Sequence, residues 1–265
     1  MPNRAQIGII GFGYIGSAVY KHIADHPELG LDVAFVHDLD ASRLTDVPPE
    51  LRLEDLSDAG QVHADLIVEL AHPSVSREHG VALLGLTDYM PLSLTALADV
   101  TLEKKLIGVA QKQGTSLYIP HGTAIGLEAL EEGRDMWEEV TFTMKKPASS
   151  VDHSAFPEIV QSQDNGETIL YDGPTRGICP LFPRNVNSHA AVALAGIGFD
   201  RTRSVFIADP ELTRSSITLE AKGDGVEIVL QRWSPMTGVS SAVVLNSIRS
   251  SISKVKGFGS NLQIC

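Results

Sequence analysis

Residues 5–16 read AQIGIIGFGYIG, a short β-rich apolar run that breaks into Gly11-Phe12-Gly13-Tyr14-Ile15-Gly16. The stretch 17–27 has a helical pattern that ends near Pro27. Residues 31–37, LDVAFVH, read as a second strand, and Asp38 stands at its end, about 20 residues beyond Gly16. Spaced glycines alone are a weak signal; glycines that follow a strand, open a helix and precede an acid at this distance are a specific one. Gly11 permits the tight turn out of the strand, Gly13 lets backbone approach a pyrophosphate, and Gly16 lets the helix pack close to the sheet. The first amides of the helix then present the positive end of its dipole to an anion. Asp38 accepts from ribose hydroxyls and opposes a 2′-phosphate. The first unit is therefore expected to be a Rossmann βαβ unit that binds NAD, with NADP left open by the nearby Arg43.

The alternation of strand and helix continues. Residues 64–70 read as a buried strand, 74–84 and 101–113 as helices, and 115–119 as a further strand. Such a pattern predicts an α/β fold with a doubly wound sheet over residues 1–120. Ligands of these sheets bind beyond the carboxyl ends of the strands. Here those ends carry Gly11, Asp38, Ala71-His72-Pro73, Ser93 and Pro120-His121-Gly122.

Beyond residue 120 the pattern changes. Residues 139–145 alternate like a half-solvated strand, 148–166 are polar with Pro157 and an Asp164-Asn165-Gly166 turn, and 168–171 are short and apolar. Strands are expected at 203–208, 217–221 and 226–232, the last two joined by the hairpin signal Lys222-Gly223-Asp224-Gly225. A helix is expected at 188–197 and an amphipathic one at 239–255. The predicted layout is a second α/β (α+β) domain over 121–238, with about 239–265 returning to the first domain.

Composition narrows the function classes. The net charge of −12, from 21 basic and 33 acidic residues, disfavours nucleic acid, whose phosphates need a basic patch. No apolar run is long enough to span a membrane, and the N-terminal apolar run leads into a glycine motif rather than a cleavage site. Only Cys179 and Cys265 are present, so a reducing, cytoplasmic setting is expected. The nine histidines show no ligand-like spacing with carboxylates, and no metal site is expected.

Several segments together resemble the L-aspartate dehydrogenase family, including its animal domain-containing branch. They are Ile67-Val68-Glu69-Leu70-Ala71-His72-Pro73, Ser93-Leu94-Thr95-Ala96-Leu97-Ala98-Asp99, Pro120-His121-Gly122-Thr123-Ala124-Ile125-Gly126-Leu127-Glu128, Tyr171-Asp172-Gly173-Pro174-Thr175-Arg176-Gly177, Phe182-Pro183-Arg184-Asn185-Val186-Asn187, and Gly198-Phe199-Asp200 with Ala208-Asp209-Pro210. The resemblance implies NAD(P)-dependent oxidative deamination of a small anionic amino acid, or its reverse, and a homodimer or higher homo-oligomer. It also implies that the second domain holds substrate and makes oligomer contacts, and that the Asn185-Val186-Asn187 segment and the loop after Pro120 face the nicotinamide and substrate. In one place the chain departs from the family. The family's catalytic histidine would fall at Ile217, or at Ser216 with a slip of one residue, and no histidine occurs after His189. The acid/base role is thus unfilled, moved, or not needed, which keeps two alternatives open: an imine or ketone reductase on another small acid, and a non-catalytic NAD(P)-binding protein.

His189, at an expected helix start, and His121, at a strand end, are the candidate catalytic residues; a local packing or capping role is the competing reading for each. Cofactor-binding candidates are Gly11, Gly13, Tyr14, Ile15, Gly16, Asp38, Ala71, His72, Pro73, Ser93 and Asn187. Lys145, Arg184 and Asn185 are substrate candidates, with Arg176 behind them. Asp209, before Pro210, reads as a turn residue.

Overall fold

The computed structural model describes residues 4–155, 166–238, 240–241 and 243–258. Pro157, the Asp164-Asn165 part of the expected turn, and Cys265 lie outside the described residues. The chain divides into two compact units, one of residues 4–93, 100–120 and 245–258, the other of residues 94–99 and 121–244.

In the first unit β1 (Ala5–Ile10), β2 (Leu31–His37), β3 (Leu66–Glu69) and β4 (Asp88–Pro91) form a parallel sheet in the order β2-β1-β3-β4. The centre is made by Ile7, Ile9, Leu66, Val68 and Tyr89, all sealed from solvent. Each such side chain contributes about 1.5–3 kcal/mol on burial. Helix α1 (Tyr14–Asp25) links β1 to β2, α2 (Pro73–Glu78) and α3 (Gly80–Leu86) link β3 to β4, and α4 (Val100–Gln113) follows β4, while only short 3-10 turns lie between β2 and β3. The expected strand at 115–119 does not form a ladder. Leu117 makes a single parallel bridge with Tyr89, and the Asp88 carboxylate takes the Ser116 amide at 2.7 Å. That side chain competes for a donor the ladder would use, and Pro120 supplies none.

The second unit holds α5 (Leu127–Glu132), β5 (Glu139–Pro147), β6 (Thr168–Pro174), α6 (Thr175–Leu181), α7 (Asn187–Ala195), β7 (Arg203–Asp209), β8 (Arg214–Gly223), β9 (Val226–Thr237) and β10 (Ser240–Ser241). Its sheet runs β10-β9-β8-β5-β7-β6, with β5 and β7 parallel and every other pair antiparallel. The β8–β9 hairpin turns through Asp224 and Gly225, both at positive φ (48° and 76°), the backbone of a type I′ turn. α8 (Val244–Lys256) starts later than the sequence suggests, because Ser240 and Ser241 pair back onto Thr237 and Met236 as β10. It packs within the first unit: Arg249 donates to the Ala18 carbonyl at 3.0 Å, and Lys256 pairs with Asp88 at 2.7 Å.

Candidate functional site

The glycine loop follows β1 directly. Gly11 has φ +94°, and a Cβ there would lie 2.9 Å from the Ala71 backbone. Gly16 is tighter still, because a Cβ would sit 1.9 Å from the Gly11 carbonyl oxygen. Its absent side chain therefore lets helix α1 rest on the loop itself. Gly13 caps α1, and a Cβ there would meet among the described residues only the Arg43 guanidinium, at 3.7 Å. An anion can reach the backbone there. Tyr14 and Ile15 form the first turn of α1, with Tyr14 exposed.

Asp38 does two things. One oxygen accepts from the Phe12 amide at 2.6 Å, and the other from the Asp40 amide at 2.9 Å. Each oxygen keeps a further lone pair for a ribose hydroxyl. Arg43 stands 3.9 Å from Asp38 and pairs with Asp40, so a cation waits beside the acid. An open glycine backbone at a helix N-terminus with an acid beside it fits a dinucleotide.

The turn after β3 is organised by Glu69, which is fully buried at the strand's end. Its carboxylate accepts from the Ala71 amide at 2.7 Å, the Ser93 amide at 3.1 Å and the Ser93 hydroxyl at 3.0 Å. His72 caps α2 through Nδ1, which accepts from the Ser74 amide, and Pro73 occupies the first helical position. Burial pushes the Glu69 carboxyl up to about 7, while the donors from Ala71, Ser93 and His72 pull it down.

In the second unit the alternation of β5 sends Val140, Phe142, Met144 and Lys146 inward and leaves Lys145 on the other face, paired with Glu167. Lys146 is 4% exposed, with Nζ 3.4 Å from Asn185 Oδ1. Asn185 also accepts from the Asp152 amide at 3.1 Å and donates to its carbonyl at 2.7 Å. Arg184 pairs with the Asp152 carboxylate at 3.0 Å. Asn187 Oδ1 accepts from the Thr95 amide at 3.3 Å.

His189 is sealed in α7, against Phe142 at 4.8 Å between ring centroids, and neither ring nitrogen has a hydrogen-bond partner among the described residues. Burial, aided by the nearby Lys146 charge, pushes it down to about 3. His121 is part-exposed and meets Glu128 at 3.1 Å. The two histidines thus differ: one is a neutral imidazole in the interior, the other stands at the surface beside a carboxylate. Arg176 clamps Asp200 with two nitrogens, at 2.6 and 2.8 Å, and Asp209 accepts from the Glu211 amide at 2.8 Å in a turn. Among the described residues no group of three or more His, Cys, Asp or Glu is placed to hold a metal.

Sequence reasoning passed over Lys146, Asp152 and Glu69. For Lys146 the signal was present, since counting in twos from Val140 through Phe142 and Met144 reaches it. Glu69 and Asp152 each accept from an amide two residues on, Ala71 and Ser154, as many acids do, and the partners that single them out, Ser93 and Arg184, come from distant segments.

Residues 11–120 match the family model described as homoserine dehydrogenase, NAD binding domain, and residues 127–255 match the one described as aspartate dehydrogenase, C-terminal. The chain is 34% identical to an aspartate dehydrogenase domain-containing protein of Xenopus tropicalis, over 99% of this chain and 98% of that one. It is 33% identical to an L-aspartate dehydrogenase of Methanosarcina mazei, over 83% and 84% of the two chains. Its fold is similar to that of the aspartate dehydrogenase of Thermotoga maritima, with a TM-score of 0.76 at 20% identity over 99% and 100% of the two chains. With its NAD-binding unit followed by this C-terminal unit, and with a relative that matches it almost end to end, the chain belongs to the aspartate dehydrogenase family.

Proposed function

We propose that the protein is an NAD(P)-dependent amino-acid dehydrogenase that interconverts a small anionic amino acid, of the aspartate type, and its 2-oxo acid. The observation that carries this reading is an open glycine cradle with Asp38, joined in one chain to a unit of the aspartate dehydrogenase C-terminal family. When bound, the nicotinamide accepts or returns a hydride at the substrate Cα.

The chain's own residues divide the remaining work. Gly11, Gly13, Tyr14, Ile15 and Gly16 supply the turn and the helix amides for the pyrophosphate, and Asp38 the ribose contacts. Ala71, His72, Pro73 and Ser93 shape the nicotinamide end, held by Glu69, with Asn187 as a further contact. Residues 1–120 with the last helix form the cofactor domain, and 121–238 the substrate and oligomerisation domain. Substrate carboxylates are met by Arg184 and Asn185, beside the inward Lys146, whereas strand parity turns Lys145 to the opposite face of β5, where it pairs with Glu167 and is set apart from them; proton transfer falls to the second unit, where His189 and His121 are the histidine candidates.

A homodimer fits the face of the second sheet on which Val229 and Trp233, about half exposed, stand four residues apart along β9 and so on the same side. Light scattering that shows a strict monomer contradicts it. A cytoplasmic location fits the two cysteines, and among the described residues no helix is long and apolar enough to cross a membrane. Cell fractionation checks this location. The function itself is tested by NADH oxidation with ammonia and a panel of 2-oxo acids, each repeated without ammonia. Ammonia-dependent oxidation supports an amino-acid dehydrogenase. Oxidation without ammonia favours a ketone reductase, and NADH binding with no turnover on the whole panel counts against the reading.

A further inference from the structure

A lysine is among the side chains least often buried, because its charge is costly to remove from water. Lys146 is nevertheless inside, at the end of an inward row of three apolar residues on β5. Its Nζ is near Asn185 Oδ1 at 3.4 Å and lies 6.0 Å from the centroid of the Phe206 ring. His189 packs edge-on to that same ring at 6.3 Å between centroids. Two polar side chains thus share one aromatic wall, and among the described residues the imidazole has no partner on either nitrogen. Buried groups left unsatisfied are costly, and such costs concentrate where a site uses them.

We propose that Lys146 is the acid/base residue of the reaction and that His189 is its positioning residue. The inference rests on the amino-acid dehydrogenase reading above. In the deaminating direction the neutral amine of Lys146 takes a proton from water as the water oxygen bonds to the imine carbon. The resulting ammonium gives that proton to the nitrogen of the carbinolamine, and the freed amine then takes the carbinol hydroxyl proton as the C–N bond breaks and the 2-oxo acid forms; the departing ammonia carries that second proton away. Water is consumed, ammonia leaves, and Lys146 returns to its starting state. Reductive amination runs the same transfers backwards.

The sheet register places Lys146 well for this. Ile217 and Ser216, where the family histidine would fall, pair with Met144 and Lys145 on β5. Ile217 and Met144 are both buried, on the inward face that Lys146 shares. An amine on β5 therefore serves the patch of sheet where β8 has no imidazole. Burial lowers Lys146 to about 7, with Asp152 opposing, so amine and ammonium are both populated at neutral pH. Among the described residues, the charged and titratable groups around it include His189 from α7, Asp152 with its partner Arg184 from the flanking loops, and Asp209 at the end of β7, in register with Pro147.

The test is lysine ε-13C NMR on the whole protein across pH, with Lys146→Arg to assign the signal and succinate as a non-reacting dicarboxylate probe. Turnover is followed in parallel. The expected result is one signal that titrates near 7, is absent in Lys146→Arg and moves when succinate is added. His189→Gln is expected to shift that titration without removing it. In the wild type an acidic limb of kcat/KM near the same pH is expected, with kcat falling about 100-fold or more in Lys146→Arg and the limb lost. A Lys146 signal with an ordinary titration and no response to succinate overturns the proposal whatever the turnover. So does a Lys146→Arg or Lys146→Met variant that keeps kcat and the pH profile. A wild type without turnover but with the responsive signal counts against the dehydrogenase reading, while still supporting Lys146 as the titrating group of the ligand site.

Discussion

Glu69 holds Ser93 through both carboxylate oxygens, one accepting its amide at 3.1 Å and the other its hydroxyl at 3.0 Å. The carboxyl titrates near 7 in the folded protein, above the ordinary value of 4.5. Between those values the native state holds a proton that the unfolded chain has released. The contribution of this group to stability is therefore fully present below the unfolded value and is lost as pH rises through 7. Over that window it amounts to about 3 kcal/mol as an order of magnitude. Glu69→Gln should lower stability and also flatten its dependence between pH 5 and 8, as read by urea unfolding at each pH. A variant with the slope of the wild type would contradict this.

The glycines separate into those that are needed and those that are not. Gly16→Ala drives a methyl into the Gly11 carbonyl oxygen, backbone that cannot step aside. It should lose NADH binding and cost several kcal/mol, on the order of an overpacked core site. Gly108, inside α4 with nothing near its Cβ position, should behave oppositely. Gly108→Ala is expected to stabilise by about 0.5–1 kcal/mol. Thermal melts and NADH fluorescence titrations on the two variants check both.

Lys146→Met should be more stable than the wild type in acid while losing activity. The folded value, about 7, lies below the ordinary 10.5, so the unfolded chain binds more protons between them. Wild-type stability should accordingly rise with pH through that window, and the cost of burying the ammonium is felt in full below it. The gain in Tm for Lys146→Met should be larger at pH 6 than at pH 9. Equal gains at both would contradict the account.

Cofactor preference should follow Asp38 and Arg43. The acid repels a 2′-phosphate, and the cation beside it stands ready to bind one. Asp38→Ser should shift the Kd ratio about 10-fold or more toward NADPH, and Arg43→Ala should weaken NADPH with little effect on NADH. Calorimetry with both cofactors reads this directly.

The first two strands were legible to the residue because local pattern and tertiary role coincide there. β1 and β2 are apolar, bounded by turn glycines and a terminal acid. Residues 115–119 have the same local look, but Asp88 takes a ladder donor from them, and that competitor lies on another strand. Ser240 and Ser241 joined a helix by composition and a strand in the fold, because the turn at Gly238 folds them onto Met236 and Thr237. At the candidate site the glycine loop and Asp38 were legible, being contiguous chemistry at fixed spacing. Which of two adjacent lysines turns inward was a question of strand parity. The burial of His189 depends on Phe142 and Phe206, which no window around His189 contains.

The central claim is that this chain forms or breaks a C–N bond with NAD(P) as hydride carrier. The most direct measurement supplies NADH, oxaloacetate and 15N-labelled ammonia to the purified protein and identifies the product by NMR. The account predicts 15N-labelled aspartate, formed in step with NADH loss. Malate without label, formed at the same rate whether or not ammonia is present, would contradict it.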